Sequence, residues 1–315
     1  MSKSINICLA GNPNSGKSSL FNALTGLNQK TANFPGVTVD KKTGKLFLPD
    51  GEANNLIDFP GAYSLHAITM DEQIFTKILL NPENPNYPDI ICFIVNSELV
   101  DRQLLLGSQI RDLGIPMIVV LTMSDLIQLE KDKIQHISSF FNCPVVRCSS
   151  RTGEGLEELK DVILNQKSQL TEGNKNSSKV DKFGKGLITS GLEVDMNVDI
   201  DYTSFLKILD SNKAEKPKEV LRAEVWDTME RYDELSDLIS VLKPAVTKIP
   251  PVQNKIDKIL VHPFWGMLIF GAIMFLVFQS IFSWAEKPIE WLEDGFAFSA
   301  ELINQNMPNG WFSEL

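Results

Sequence analysis

The sequence predicts an α/β domain with a mostly parallel sheet, followed by a small all-α helical domain and a single membrane-spanning helix. Three observations predict this. Residues 1 to about 166 alternate apolar runs, among them 5–10, 90–95, 115–121 and 144–146, with segments of helical character. That alternation belongs to parallel strands joined by covering helices. Residues 203–245 carry helical periodicity, including Val220-Leu221 with Val225-Trp226 and Met229, a spacing that packs one helix face. Residues 264–284 contain no charged side chain. The expected divisions are 1–166, 167–256 (a Lys/Ser/Asn/Gly-rich linker from 167 to about 185, then helices), 257–286 for the membrane helix, and 287–315 for an amphipathic tail.

Taken in order, the first apolar run ends in Gly11-Asn12-Pro13-Asn14-Ser15-Gly16-Lys17-Ser18-Ser19, which fits G-x-x-x-x-G-K-[ST]. A strand before it and a helix after it are the context this phosphate-binding loop requires. Successive backbone N–H groups then point at phosphates and the helix N-terminus adds partial positive charge. Lys17 would reach the β- and γ-phosphates, and the Ser18 hydroxyl would ligate Mg²⁺.

Such a loop binds phosphates without choosing a base. Asp58-Phe59-Pro60-Gly61 has the D-x-x-G form, with Asp58 able to hold Mg²⁺ through water and the Gly61 N–H able to sense a γ-phosphate. The run 115–121 ends in Thr122-Met123-Ser124-Asp125, where guanine-nucleotide proteins carry N-K-x-D. An Asp at 125 accepts from guanine N1–H and its exocyclic amine, a donor pair adenine lacks. Cys148-Ser149-Ser150 opens a loop like S-A-x-x-x-x-G, which touches the base. Thr122 in place of Asn shortens a side chain that ties loops together, so weaker binding with retained specificity is expected. Met123 stands where a Lys usually packs on the base.

Ala62 follows the D-x-x-G motif where many small GTPases place a water-orienting Gln. Asn14 is the substitute candidate. Three residues before Lys17, its carbonyl and phosphate oxygens could hold K⁺, as in a potassium-activated group of GTPases; an Asx-turn is its other reading. In Gly36-Val37-Thr38, Thr38 is placed to complete the Mg²⁺ shell and to signal hydrolysis by its release. Asn14, Lys17, Thr38 and Gly61 are thus the catalytic candidates. Ser18, Thr38 and Asp58 are the Mg²⁺ set. Residues 11–19, 36–38, Asp58, Gly61, Thr122, Met123, Asp125, Ser149 and Ser150 form the nucleotide site.

Together, the runs 11–26, 33–40 and 58–65 resemble the GTPase domain of the bacterial ferrous iron transport protein B family. Arg231-Tyr232, then 255–263 and Gly266, are similar to that family's entry into its first membrane helix. The resemblance implies a cytoplasmic GTP-hydrolysing module at the inner membrane, a helical domain of nucleotide-release-inhibiting character, and Fe²⁺ as the transported ion. Small cytoplasmic regulatory proteins and further copies of the chain are the other partners considered. Family members are far longer and carry further spans. By that comparison the chain is a cut piece or the product of a shortened or split gene. A slow membrane-tethered switch that signals to a partner is the alternative function.

Net charge of −10 and a pI near 4.9 argue against a nucleic-acid partner. Cys8, Cys92, Cys143 and Cys148 form no C-x-x-C pair, and the three histidines are scattered, so reduced buried thiols are expected and no His/Cys metal site. No cleavable leader is expected, because a strand starts almost at once. The uncharged run at ~1.5 Å per residue spans ~30 Å, one bilayer core. Trp265 and Trp284 bracket it. Lys248, Lys255 and Lys258 precede it and mostly acids follow, which places the nucleotide domain inside. The tail lies along the outer interface or packs on other spans.

Overall fold

The computed structural model describes residues 4–26, 29–33, 40–127, 129–171, 182–192, 200–242, 260 and 262–306. It divides into two compact units, Met1–Lys243 and Pro244–Leu315.

In the first unit a seven-stranded sheet has the order β2-β3-β4-β1-β5-β6-β7. Its strands are β1 (Asn6–Gly11), β2 (Gln29–Asn33), β3 (Asp40–Phe47), β4 (Ala53–Asp58), β5 (Ile90–Asn96), β6 (Met117–Thr122) and β7 (Val145–Arg147). The four pairings from β4 through β1, β5 and β6 to β7 are parallel, whereas β2 and β3 add an antiparallel edge. Alternation along the strands explains why both faces are covered. Ile7 and Leu9 point to one apolar cluster with Leu20, Phe21 and Leu24 of α1 (Lys17–Thr25) and Leu159 and Ile163 of α5 (Leu156–Thr171). Cys8 and Ala10 point to the other, with α2 (Met70–Leu79), α3 (Val100–Asp112) and α4 (Lys131–Phe141).

Helices α6 (Lys182–Ser190), α7 (Tyr202–Asn212) and α8 (Pro217–Leu242) join that second cluster through Phe183, Leu187, Phe205, Val220 and Leu235. The expected linker is shorter than its composition suggested. Residues 167–171 continue α5, where Lys167 pairs with Asp50 and Glu52, and 182–185 already belong to α6. The packed face of α8 also differs. Val220 is buried, but Leu221, Val225 and Met229 are exposed. The buried stripe instead runs Val220, Ala223, Asp227, Arg231, Leu235, Leu238 and Leu242. Two of its members are charged, and hydrophobic spacing gives them no weight.

The second unit contains α9 (Trp265–Asn306), a single 42-residue helix. Among the described residues no helix is long and apolar enough to cross a membrane. The expected span 264–284 runs past residue 280, where the described side chains of its apolar part stop. The helix also continues without a break through the segment expected to be a separate tail.

Candidate functional site

Every described site residue named from the sequence lies at the carboxyl ends of the parallel strands, where open α/β sheets place ligands. β1 delivers the loop 11–16, β4 delivers Asp58, β6 delivers Thr122, and the segment after β7 delivers Ser149 and Ser150. Gly36, Val37 and Thr38 lie outside the described residues.

The loop after β1 is held in a shape few side chains would permit. A Cβ on Gly11 would strike the Ile94 carbonyl oxygen, and Gly16 caps α1 with left-handed backbone. Lys17 lies back over its own loop, its Nζ donating to the carbonyls of Gly11 (3.0 Å) and Asn12 (2.9 Å). Burial lowers the Lys17 pKa, with the Asp58 charge opposing. Asn12 Oδ1 and Ser15 Oγ are buried with no hydrogen-bond partner among the described residues. Asn14 is exposed, has φ 62°, and its side chain makes no hydrogen bond among the described residues, so it closes no Asx-turn.

Ser18 Oγ donates to Asp58 Oδ2 at 3.1 Å, while Asp58 Oδ1 is buried and has no hydrogen-bond partner among the described residues. Burial raises the Asp58 pKa, and Lys17, the Ser18 hydroxyl and Lys42 counter it. One carboxylate and one hydroxyl facing phosphate positions suit Mg²⁺, which retains water and takes few protein ligands. The orphaned Asp58 oxygen is the observation that fits such an ion. No group of three or more His, Cys, Asp or Glu that could hold a metal ion occurs among the described residues. Burial pushes the Cys92, Cys143 and Cys148 thiols up to about 12, as inert structural cysteines require.

The D-x-x-G segment abuts the phosphate loop directly. Phe59 N–H donates to Leu9 O (3.1 Å) and Ala62 N–H to Gly11 O (3.2 Å). A Cβ on Gly61 would lie 2.9 Å from Pro13 N and 3.0 Å from Pro13 Cα, so only Gly fits without a shift. Ala62 is fully buried and offers no side chain to a reacting water.

On the base side, Thr122 Oγ1 donates across 2.6 Å to Ser15 O and lies 3.1 Å from Val95 O. The short side chain therefore does tie the phosphate loop to the base loop, because Gly16 packs against it: a Cβ there would lie 3.3 Å from Thr122 Oγ1. Met123 takes left-handed backbone, φ 59°. Asp125 is bound by Arg151, Nε at 2.9 Å and Nη2 at 2.7 Å, both on Oδ2. Hydrogen bonds from Ser149 and then Arg151 hold its carboxyl below the ordinary range. Ser124 N–H reaches Cys148 O at 3.4 Å and joins the two base loops.

Several residues escaped the sequence reading. Glu72 Oε1 accepts from Tyr63 N–H (3.2 Å), and its Oε2 accepts from Ile68 and Thr69 N–H, closing a capping box with Thr69. The signature Thr69-x-x-Glu72 was the available signal. Gln109 Oε1 accepts from Leu65 N–H (2.8 Å) and Ser64 Oγ (3.1 Å). His66 Nε2 donates to Asp227 Oδ2 at 2.7 Å. Asp227 also accepts from Arg231 Nε (3.0 Å) and the Tyr202 hydroxyl (3.1 Å), and Arg231 Nη1 reaches Asp112 at 3.0 Å. Burial would raise the Asp227 pKa, but the His66 hydrogen bond and the Arg231 charge bring it down to about 2. The segment just past D-x-x-G is thus held by α2, α3 and α8 together.

A family model described as "Ferrous iron transport protein B" matches residues 5–163. The Fe(2+) transporter FeoB of Leptospira interrogans (serovar copenhageni) is 35% identical over 321 residues, 93% of this chain and 45% of that protein. Its counterpart in Staphylococcus aureus (strain MSSA476) is 33% identical over 319 residues, 92% of this chain and 47% of that one. The chain therefore spans about half the length of these curated relatives. Among solved structures, the cytosolic domain of T. maritima FeoB in GDP form I matches with a TM-score of 0.58 at 28% identity, over 77% of this chain and 97% of that one. The cytosolic domain of L. pneumophila FeoB matches with a TM-score of 0.53 at 26% identity, over 73% and 97%. On the family match and the extended identity, the chain belongs to the ferrous iron transport protein B family.

Proposed function

We propose that the chain is the GTP-binding and GTP-hydrolysing cytoplasmic module of a bacterial inner-membrane Fe²⁺ transporter, regulating or driving uptake. The observation that carries this is the convergence of Lys17, Ser18 and an Asp58 oxygen without a partner on one side of the loop, with Asp125 on the other. Lys17 and the loop N–H groups bind the phosphates. Ser18 and Asp58, with Thr38, would hold Mg²⁺, which supplies charge neutralisation between the phosphates. Asp125 selects guanine, and the Gly61 N–H reads the γ-phosphate. Asn14, whose exposed amide makes no hydrogen bond among the described residues, would hold K⁺ against the phosphates. GDP and GMPPNP forms of the T. maritima cytosolic domain support the nucleotide reading. The uncharged run 264–284 and the lysines before it support a membrane anchor with this module inside.

GTP hydrolysis measured in K⁺ and in Na⁺, with and without Asn14→Ala, tests the reading. Faster turnover in K⁺ that Asn14→Ala abolishes is expected. Equal slow rates in both salts would remove the cation role. The hold of α2, α3 and α8 on residues 63–66 favours a second reading, a slow switch whose GTP state is read by a partner. Hydrolysis that rises only when a partner protein is added would select it.

A further inference from the structure

The fork of N–H donors on Arg151 has the same chemistry as the edge of guanine. The N1–H and exocyclic amine of guanine are two donors on one carbon, a guanidine fragment, and Arg151 presents Nε–H and Nη2–H from one carbon to the same carboxylate. Both Arg151 donors converge on Asp125 Oδ2, at 2.9 and 2.7 Å, so this oxygen is already engaged by two hydrogen bonds. A base that claims both oxygens of Asp125 must displace them. We infer that Arg151 is an internal competitor for the guanine site: it holds the carboxylate that reads the base, weakens guanine-nucleotide binding and assists release.

The surroundings suit a group that comes and goes. The Arg151 side chain is 74% exposed while that of Asp125 is 12% exposed, so the guanidinium can swing into water as the acid stays in place. The loop beneath it is fixed. Ser149 N–H donates to Glu154 O (3.0 Å), Gly153 N–H to Ser149 O (2.9 Å), and Thr152 N–H to Ser149 Oγ (3.2 Å). Arg151 also borders a surface hollow lined by Ser19, Asn22, Ala23 and Ser150, next to the start of α1. Displacement therefore costs one exposed ion pair and no rearrangement of the loop. Exposed pairs of this kind weigh little, which sets the competition at about two- to five-fold in affinity. Salt screens the pair, so the competition fades as ionic strength rises.

This inference rests on the guanine reading of Asp125, and the test separates the two. Equilibrium binding of GDP and ADP is measured on the full chain in detergent, for the wild type and Arg151→Ala, at low and high salt. Binding of xanthosine diphosphate is measured for Asp125→Asn with and without Arg151→Ala. Arg151→Ala is expected to bind GDP about two- to five-fold more tightly at low salt, with the gain shrinking at high salt. The gain should be absent for xanthosine diphosphate in the Asp125→Asn background, where no carboxylate holds the guanidinium. A wild type that prefers GDP to ADP, with GDP affinity unchanged or weakened by Arg151→Ala, overturns the inference and leaves the guanine reading intact. So does a gain that persists on Asp125→Asn. A wild type without preference for GDP overturns both.

Discussion

Replacing Asp227 with alanine removes the acceptor shared by Arg231, His66 and Tyr202 in a place water does not reach. Arg231 is 0% exposed and Asp227 2%. After the change Arg231 retains Asp112 and the Tyr202 ring, 4.3 Å from its Cζ, but its Nε–H loses its acceptor, as does the His66 ring. Its Nη2 already lacks a partner. Removing one member of a buried ion pair costs about 3–5 kcal/mol. A domain of this kind has a total stability of about 5–15 kcal/mol. The expected result is a large drop in the urea midpoint, followed by far-UV circular dichroism, with the slope unchanged. Replacing both partners with apolar residues of similar volume, Asp227→Leu with Arg231→Met, should recover most of the loss, because no uncompensated charge remains. A cost below about 1 kcal/mol for Asp227→Ala, or a double variant no better than the single, would refute the account of α8 as anchored by this pair.

Other expectations follow from the same geometry. The Asp227 pKa is depressed to about 2 in the folded chain against a value near 3.8 unfolded, so its contribution is complete above about pH 4 and disappears as pH falls through 2. Acid titration of stability should show about 2 kcal/mol of this loss missing from Asp227→Asn. Thr122→Ala should weaken GTP binding and loosen the loop by about 1 kcal/mol, the worth of its hydrogen bond to Ser15 O; calorimetric titration with GTP measures it, and an unchanged affinity would deny the tie. Gly61→Ala should slow hydrolysis more than it weakens GDP binding, since its Cβ forces the D-x-x-G segment away from Pro13. Comparable losses in both would place the effect on the loop as a whole.

The parts of this molecule readable from sequence are those encoded locally. The 11–19 run, Asp58 with Gly61, and Thr122 to Asp125 each sit at the end of an apolar run, and a strand end plus a short motif suffices to place them. Contacts between distant segments were hidden. His66 and Asp227 are 161 residues apart, and each reads alone as an unremarkable polar residue. Arg231 stands out in the sequence only within the run similar to the family's approach to its membrane helix, and nothing local shows that it shares a buried stripe with Leu235 and Leu238. The same blindness assigned Leu221, Val225 and Met229 to a packed face when they lie in the open. Thr122 reads from sequence as a shortened loop tie, and the approach of Gly16, which lets it reach Ser15 O, is not encoded near it. The competition at Asp125 was equally invisible, since Arg151 looked like one more loop residue.

The 26 residues of α8 have a consequence for how far a small displacement can travel. A helix of that length is a rod of about 39 Å, stiff on this scale. His66 grips it at Asp227, ten residues from its start, so its two ends cannot shift independently of that grip. Leu242, at the far end, lies ~22 Å along the axis from Asp227 at ~1.5 Å per residue. A tilt of a few degrees at the grip becomes a sideways step of an ångström or more at residue 242. That is the last described position before the polypeptide passes to the unit that begins at Pro244. The segment just past D-x-x-G, held through His66, and the far end of α8 thus share one rigid element.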